Sequence, residues 1–383
     1  MDVVALGESM VTFLPGRPGR LADVPSFHRA IGGAESNVAC ALAAHGHTAR
    51  WVSRVGADGF GDHVVERIAG HGVDVSAVRR DPDRPTGVYF RTAGDRGTDA
   101  HEVAYYRAGS AASAMSVENV DMAAARAGRV LHLSGITPAL SAECLHLIRE
   151  LTASGVRGLT GPGVPEAAGP GVPEAAGPGV PEAAGPGVRD LTGPAVRALT
   201  APGPARPLLS FDVNHRPALW PDADTAARVL LSLARRADLV FVGEDEAEQA
   251  WGITGGPEAI RKALAEPRVL VVKQGARGAT VFEGEAETRE PAPVVDVVAT
   301  TGAGDAFAAG FLSGTLRGLP ARDRIRHGHL FAAATLTAPT DLAAPPTRGH
   351  ADRLTALDDD AWGRLRLGPG WTQTEEAEKE ATP

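Results

Sequence analysis

Short, almost continuously apolar runs alternate along this chain with helical patterns, and that alternation limits the fold most. The runs are Val3–Gly7, Arg50–Val55, Arg129–Leu133, Leu208–Val213, Leu239–Val242, Val269–Val272, Thr280–Phe282 and Val294–Val298. Helical patterns lie between them at Glu35–Ala44, Asp62–Ala69, Ala142–Leu151, Ala223–Arg235, Gly256–Ala265, Ala303–Arg317 and Asp323–Thr335. A strand with no polar side can only be buried on both faces, which requires helices above and below the sheet. The pattern predicts a three-layer α/β/α fold with a mostly parallel central sheet. Ligands of such sheets bind beyond the carboxyl ends of the strands.

Two stretches break the alternation. Residues 10–30 and 87–108 hold short extended pieces with no helix between them. Val88-Tyr89-Phe90-Arg91 and Val103-Ala104-Tyr105-Tyr106-Arg107 read as a hairpin with a glycine-rich turn around Gly94–Gly97. Together they predict a small β lid over the ligand edge of the sheet.

A third stretch cannot join a core. From Gly161 the octapeptide Gly-Pro-Gly-Val-Pro-Glu-Ala-Ala occurs three times to Ala184, and two decayed copies run on to Thr200. Each unit offers one Val as its largest apolar group, too little to offset chain ordering. Residues 155–207 are therefore expected to be a low-complexity insertion in a surface loop, and closure entropy grows slowly enough with length to allow it. The acidic residues 372–383 read as a disordered tail. The remainder, within residues 1–360, reads as one domain.

The formal charge of −9 offers no basic face for nucleic acid. No apolar run approaches the ~18–20 residues of a membrane span, and the first residues lack the basic region of a signal peptide. The two cysteines, Cys40 and Cys144, fall in apolar helical stretches, which fits a reducing cytoplasm. The chain lacks a Gly-x-x-x-x-Gly-Lys-Ser/Thr phosphate loop, a dinucleotide fingerprint after the first strand and the protein-kinase signatures.

Chemistry concentrates in Thr300-Thr301-Gly302-Ala303-Gly304-Asp305-Ala306-Phe307, which follows an apolar run and opens a long helix. Small residues let backbone N–H groups converge where the helix dipole favours an anion. Asp305 falls in the first turn, where a carboxylate can take the proton of a hydroxyl attacking phosphorus. This stretch resembles the second signature of the PfkB-type, ribokinase-like sugar kinases. Gly32-Gly33-Ala34-Glu35-Ser36-Asn37-Val38-Ala39 resembles their first, in the expected order, and the resemblance spans all but the repeat and the tail. Arg54–Gly61 resembles a structural turn of the family, and Lys273-Gln274-Gly275-Ala276-Arg277-Gly278 its nucleotide-side turn. Phe211–Arg216 ends a strand and should turn polar side chains into the crevice.

The resemblance implies an ATP- and Mg²⁺-dependent carbohydrate kinase with a ribokinase-like fold. Asp305 would be the base, and N–H groups of Gly302, Ala303, Gly304 and Asp305 the anion hole. ATP would lie on Lys273, Gly275, Gly278, Gly302 and Gly304, with Mg²⁺ at Glu246. Tyr105-Tyr106-Arg107 and Gly33-Ala34-Glu35 resemble the 2-keto-3-deoxygluconate kinase branch. In that branch Gly33, Ala34, Asn37, Tyr89, Tyr105 and Asp341 would hold the sugar, with Arg107 and Arg216 on its carboxylate. The lid can also pair two copies into a homodimer. A neutral hexose such as fructose is the alternative substrate, and a decayed kinase that only binds sugar or nucleotide is the alternative class. Three departures from the family pattern bear on this. Ala299 stands where the signature usually carries the acid associated with a monovalent cation, Gly243 stands where Asn usually precedes Glu246, and Thr340 stands where a glycine often precedes Asp341.

Deleting Gly161–Thr200 should leave the unfolding midpoint and turnover close to those of the full chain. Loss of either, by thermal melt or steady-state assay, would show that the repeat contributes to its host.

Overall fold

The first apolar run forms β1 (Val3–Leu6), wholly buried, in a computed structural model that describes residues 1–17, 19–92, 103–153 and 206–373. The octapeptide repeat, the Gly94–Gly97 turn and residues 374–383 lie outside the described residues. After β1 the chain leaves the central sheet as β2 (Met10–Pro15) and β3 (Phe27–Gly32), then returns as α1 (Ala34–Ala44). β4 (Ala49–Gly56) follows, with α2 (Gly59–Gly70), whose N-cap Asp58 accepts from the Gly61 N–H at 2.7 Å. That cap satisfies one of the orphan donors of the helix start. β5 (Val78–Asp81), β6 (Val88–Arg91), β7 (Val103–Tyr106), the short α3 (Met122–Ala125), β8 (Val130–Ser134) and α4 (Ala142–Ala153) complete the half before the repeat.

Beyond the repeat, β9 (Leu208–Asp212) leads to α5 (Ala223–Ala234), capped by Asp222 on the Thr225 N–H at 2.7 Å. β10 (Leu239–Gly243), α6 (Glu244–Trp251), α7 (Gly256–Ala263) and β11 (Val269–Lys273) follow. β12 (Ala279–Glu283), β13 (Ala286–Glu290) and the two-residue β14 (Val294–Val295) precede α8 (Ala303–Leu316), α9 (Ala321–Leu336) and α10 (Arg348–Thr355).

The central sheet among the described residues has nine strands in the order β13-β12-β11-β10-β9-β8-β1-β4-β5. Pairing is parallel from β11 to β5, while β12 and β13 run antiparallel at one edge. Successive side chains of a strand point to opposite faces, and here both faces are covered. Val4, Leu6, Leu131, Phe211 and Val240 pack with Leu147 and Ile148 of α4 and with Leu230 and Leu233 of α5. Val3, Val130, Leu239, Phe241 and Val271 pack with α1, α8 and α9 through Leu42, Phe311 and Phe331. The helices α8 and α9 touch at Gly310, where an added Cβ would come 2.3 Å from the His327 carbonyl oxygen. The fold is the expected ribokinase-like three-layer sandwich.

The two interrupting stretches meet in a second sheet of order β3-β2-β6-β7. β2 runs parallel to β6, with Val11 opposite Val88, and β6 is antiparallel to β7, with Tyr89 opposite Tyr105. Its two faces differ. Phe13 stacks on Phe90 at 4.7 Å on one, and Tyr89 meets Tyr105 at 5.4 Å on the other. No helix of the described residues is long and apolar enough to cross a membrane.

Three local differences from the sequence reading have physical causes. Val294–Val298 does not join the central sheet: only Val294 and Val295 pair, with Arg366 and Leu367 in a separate two-stranded sheet, and Val297 and Val298 are exposed. Prolines at 291 and 293 remove two ladder donors beside it. The edge strands β5 and β13 carry polar sequences, Val-Arg-Arg-Asp and Ala-Glu-Thr-Arg-Glu, and so lack the apolar signal of buried strands. The helix α6 opens on Glu244-Asp245-Glu246 directly at the end of β10, with no loop to announce it.

Candidate active site

The carboxyl ends of β1, β9, β10 and β11 open into a cleft of about 450 Å³, roofed by the second sheet. The chain reaches it from several directions. Gly33, Ala34 and Asn37 arrive on the first turns of α1, and Asp212, Asn214 and Arg216 at the end of β9. Gly302, Gly304 and Asp305 arrive at the start of α8, and Tyr89 and Tyr105 from the roof.

Asp305 lies in the first turn of α8, whose N-cap is Gly302 at φ +82°. A side chain there would be strained by the left-handed backbone, and its Cβ would stand 2.2 Å from the Asp341 carbonyl oxygen. Asn37 Nδ2 donates to Asp305 Oδ2 at 2.9 Å, and Asn214 Nδ2 lies 3.4 Å from Oδ1. Burial pushes the Asp305 carboxyl up to about 7. The Asn37 hydrogen bond, Arg216 and Lys273 work against that rise, and the neighbouring Asp212 charge adds to it. Such a carboxyl passes from protonated to ionised across neutral pH. Asn214 is held at φ +37°, the one non-glycine residue with positive φ among the described residues. Strain of this kind persists where the surroundings over-determine a conformation.

Lys273, at the end of β11, sits 3.1 Å from each oxygen of Asp212 and 3.9 Å from Glu246. Burial alone would lower its ammonium, but Asp212 and Glu246 outweigh that and raise it, so it stays charged. Its Nζ lies only 3.5 Å from where a Cβ on Gly304 would be, beside the N-terminus of α8. Glu246 turns back to accept from the Gly243 N–H at 2.7 Å. Gly275 lines an adjoining cleft of about 560 Å³ that shares Lys273.

Most residues singled out in the sequence therefore share one cleft, with Ala303 between the lining glycines. Three do not stand as expected. Gly278 lines neither cleft; its φ of +125° and its approach to the Glu290 carbonyl serve the β11–β12 turn. Arg107 is not a free cation. It is ion-paired with Glu8, which also accepts from Ser110 Oγ at 2.7 Å. Tyr89 lines the cleft, but its hydroxyl donates to Asp341 Oδ2 at 2.6 Å. Among the described residues Arg216 is exposed and has no carboxylate ion-pair partner.

The structure adds Glu8 and Arg91 to the cleft, and Asp212 lines it as expected of the polar side chains of Phe211–Arg216. Each carried a readable signal. Glu8 and Asp212 lie at the carboxyl ends of apolar runs, where α/β sheets bind ligands. Arg91 follows Tyr89 by two on a strand and so shares its face.

A helix N-terminus with a half-buried carboxyl in its first turn can bring a phosphoryl group and a hydroxyl together. Comparison with known proteins agrees: the description "pfkB family carbohydrate kinase" matches residues 1–171 and 197–348, so the chain belongs to that family and is a carbohydrate kinase. A 2-dehydro-3-deoxygluconokinase of Bacillus subtilis (strain 168) is 33% identical over 356 residues, covering 91% of this chain and 93% of that one. A probable chloroplastic fructokinase of Arabidopsis thaliana is 29% identical over 346 residues, covering 87% of this chain and 75% of that one. The crystal structure of a PfkB protein from Polaromonas sp. JS666 superposes with a TM-score of 0.71 at 30% identity, over 92% of this chain and 99% of that one.

Proposed function

We propose that this carbohydrate kinase transfers the terminal phosphoryl group of ATP to the 6-hydroxyl of 2-keto-3-deoxygluconate. The observation that carries the acid substrate is Arg216, a guanidinium in the cleft with no carboxylate ion-pair partner among the described residues. A guanidinium binds a carboxylate through two parallel hydrogen bonds. Similarity to the Bacillus subtilis relative supports the same reading.

In this reading ionised Asp305 takes the hydroxyl proton as the oxygen bonds to phosphorus and the bond to the departing ADP breaks. N–H groups from Gly302 to Asp305 face the charge on the transferring phosphoryl group, where fixed dipoles need no reorganisation. Lys273 stands beside them. Asn37 and the backbone of Gly33 hold sugar hydroxyls, Tyr105 packs on the sugar, and the roof excludes water so that the sugar attacks.

Mg²⁺ fits the residues present. The carboxylates of Asp212 and Glu246 flank Lys273, an all-oxygen donor set. Mg²⁺ takes one or two carboxylates and leaves its other positions to phosphate and water. Glu246 would hold it, and the ion would offset phosphate charge.

One observation favours a second reading. Glu8 neutralises Arg107, which leaves one guanidinium rather than two for an acid group and admits a neutral ketohexose such as fructose.

An ADP-release assay with Mg-ATP against 2-keto-3-deoxygluconate, gluconate, fructose, ribose and no sugar separates the two. Turnover confined to the keto-deoxy acid, with a KM that rises on Arg216→Ala, is the expected result. Equal turnover on fructose, or a variant indifferent to the carboxylate, overturns the acid reading. The pH profile tests the base. Burial favours the protonated Asp305, so kcat/KM should climb about tenfold per pH unit up to about 7 and then level. A flat profile between pH 5.5 and 8 would contradict it.

A further inference from the structure

Arg91 belongs to the roof and lines the cleft, and its contacts run to the segment that ends at Asp341. Its side chain is buried, and its Nη2 is ion-paired with Asp341 Oδ1 and lies 3.4 Å from the Pro339 carbonyl oxygen. Tyr89, two residues earlier on the same strand face, donates to the other oxygen of Asp341 at 2.6 Å. The Asp341 side chain is thus held from above at both oxygens, and the residue is buried.

The backbone of Asp341 packs against the Gly302 turn. Its carbonyl oxygen, carbonyl carbon and Cα are the three atoms nearest to where a Cβ on Gly302 would lie, at 2.2, 3.1 and 3.3 Å. Gly302 is the N-cap of α8 and, in the proposed reaction, the first donor residue facing the phosphoryl group. Segment 339–341 is therefore a wedge between the roof and the turn that aims the backbone N–H groups of α8. A displacement of the wedge by an ångström would misalign those donors.

We propose that Arg91 is a positioning residue that acts through Asp341 on the Gly302 turn, so that the roof sheet sets the geometry of the phosphate site. The inference rests on the kinase class and not on which sugar is phosphorylated. The alternative role for the same contacts is to shape the sugar pocket alone, through the Asp341 side chain. The two differ at the nucleotide, because only the first reaches the phosphate donors when no sugar is bound.

The test uses the full chain and calorimetric binding of a non-hydrolysable ATP analogue with Mg²⁺ and no sugar. Arg91→Gln should weaken that binding about tenfold, and kcat on whichever sugar the wild type phosphorylates should fall about 10- to 100-fold, the scale of an ångström-sized misplacement. Arg91→Lys keeps a charge opposite Asp341 and should recover most of the nucleotide affinity. Unchanged nucleotide affinity in Arg91→Gln, with only the sugar KM raised, overturns the proposal. So does a loss that Arg91→Lys fails to rescue and that parallels a lower melting temperature, since Arg91 would then only hold the fold. A wild type that phosphorylates fructose but not the keto-deoxy acid would overturn the substrate reading and leave this measurement intact.

Discussion

The site depends on one half-buried carboxyl held at the start of a helix. Asp305 is gripped by Asn37 from α1 and approached by Asn214 from the end of β9. Three segments far apart in the chain meet at that group, and each is delivered by a regular element whose core face is packed. Removing a carboxylate from water is costly, which is why burial lifts this one toward neutral pH. The same position brings it under the positive end of the α8 dipole. A group poised between protonated and ionised suits a base better than a fully solvated aspartate would.

Charge balance in the cleft follows from that constraint. Arg91 pairs with Asp341, Arg107 with Glu8, and Lys273 with Asp212. These pairs tie the roof and the strand ends together and leave little net charge where a sugar would lie. Glu246 stands 3.9 Å from Lys273, and the lining charges outside these pairs are Arg216 and Asp305, the latter at the start of α8. Buried pairs contribute little net stability, because desolvation offsets much of their attraction. Breaking one, however, strands a charge. The pairs therefore fix geometry more than they add stability, and the contact from Arg91 through Asp341 to Gly302 is the clearest case.

Much of this was legible in the sequence because the physics was local. Doubly buried strands such as Val269–Lys273 read as apolar runs, and the glycines around Asp305 announce a helix N-terminus open to an anion. The roof was legible as a break in the strand–helix rhythm. What escaped was set by partners remote in sequence. Nothing near Arg107 says that Glu8 neutralises it, and nothing near Tyr89 says that its hydroxyl is taken by Asp341. Edge strands escaped because polar sequences such as Val78–Asp81 carry no burial signal. The short α6 escaped because Glu244–Glu246 begin it without a loop.

The most direct test of this account compares Asp305→Asn with the wild type in turnover and in nucleotide binding. The substitution keeps the size of the side chain but removes its charge and basicity, and leaves one acceptor oxygen for the Asn37 and Asn214 donors. Turnover should fall by about 10²–10⁴, the scale of a positioned general base, with nucleotide affinity retained. Near-normal turnover in that variant would contradict the central claim that the carboxyl of Asp305 takes the proton.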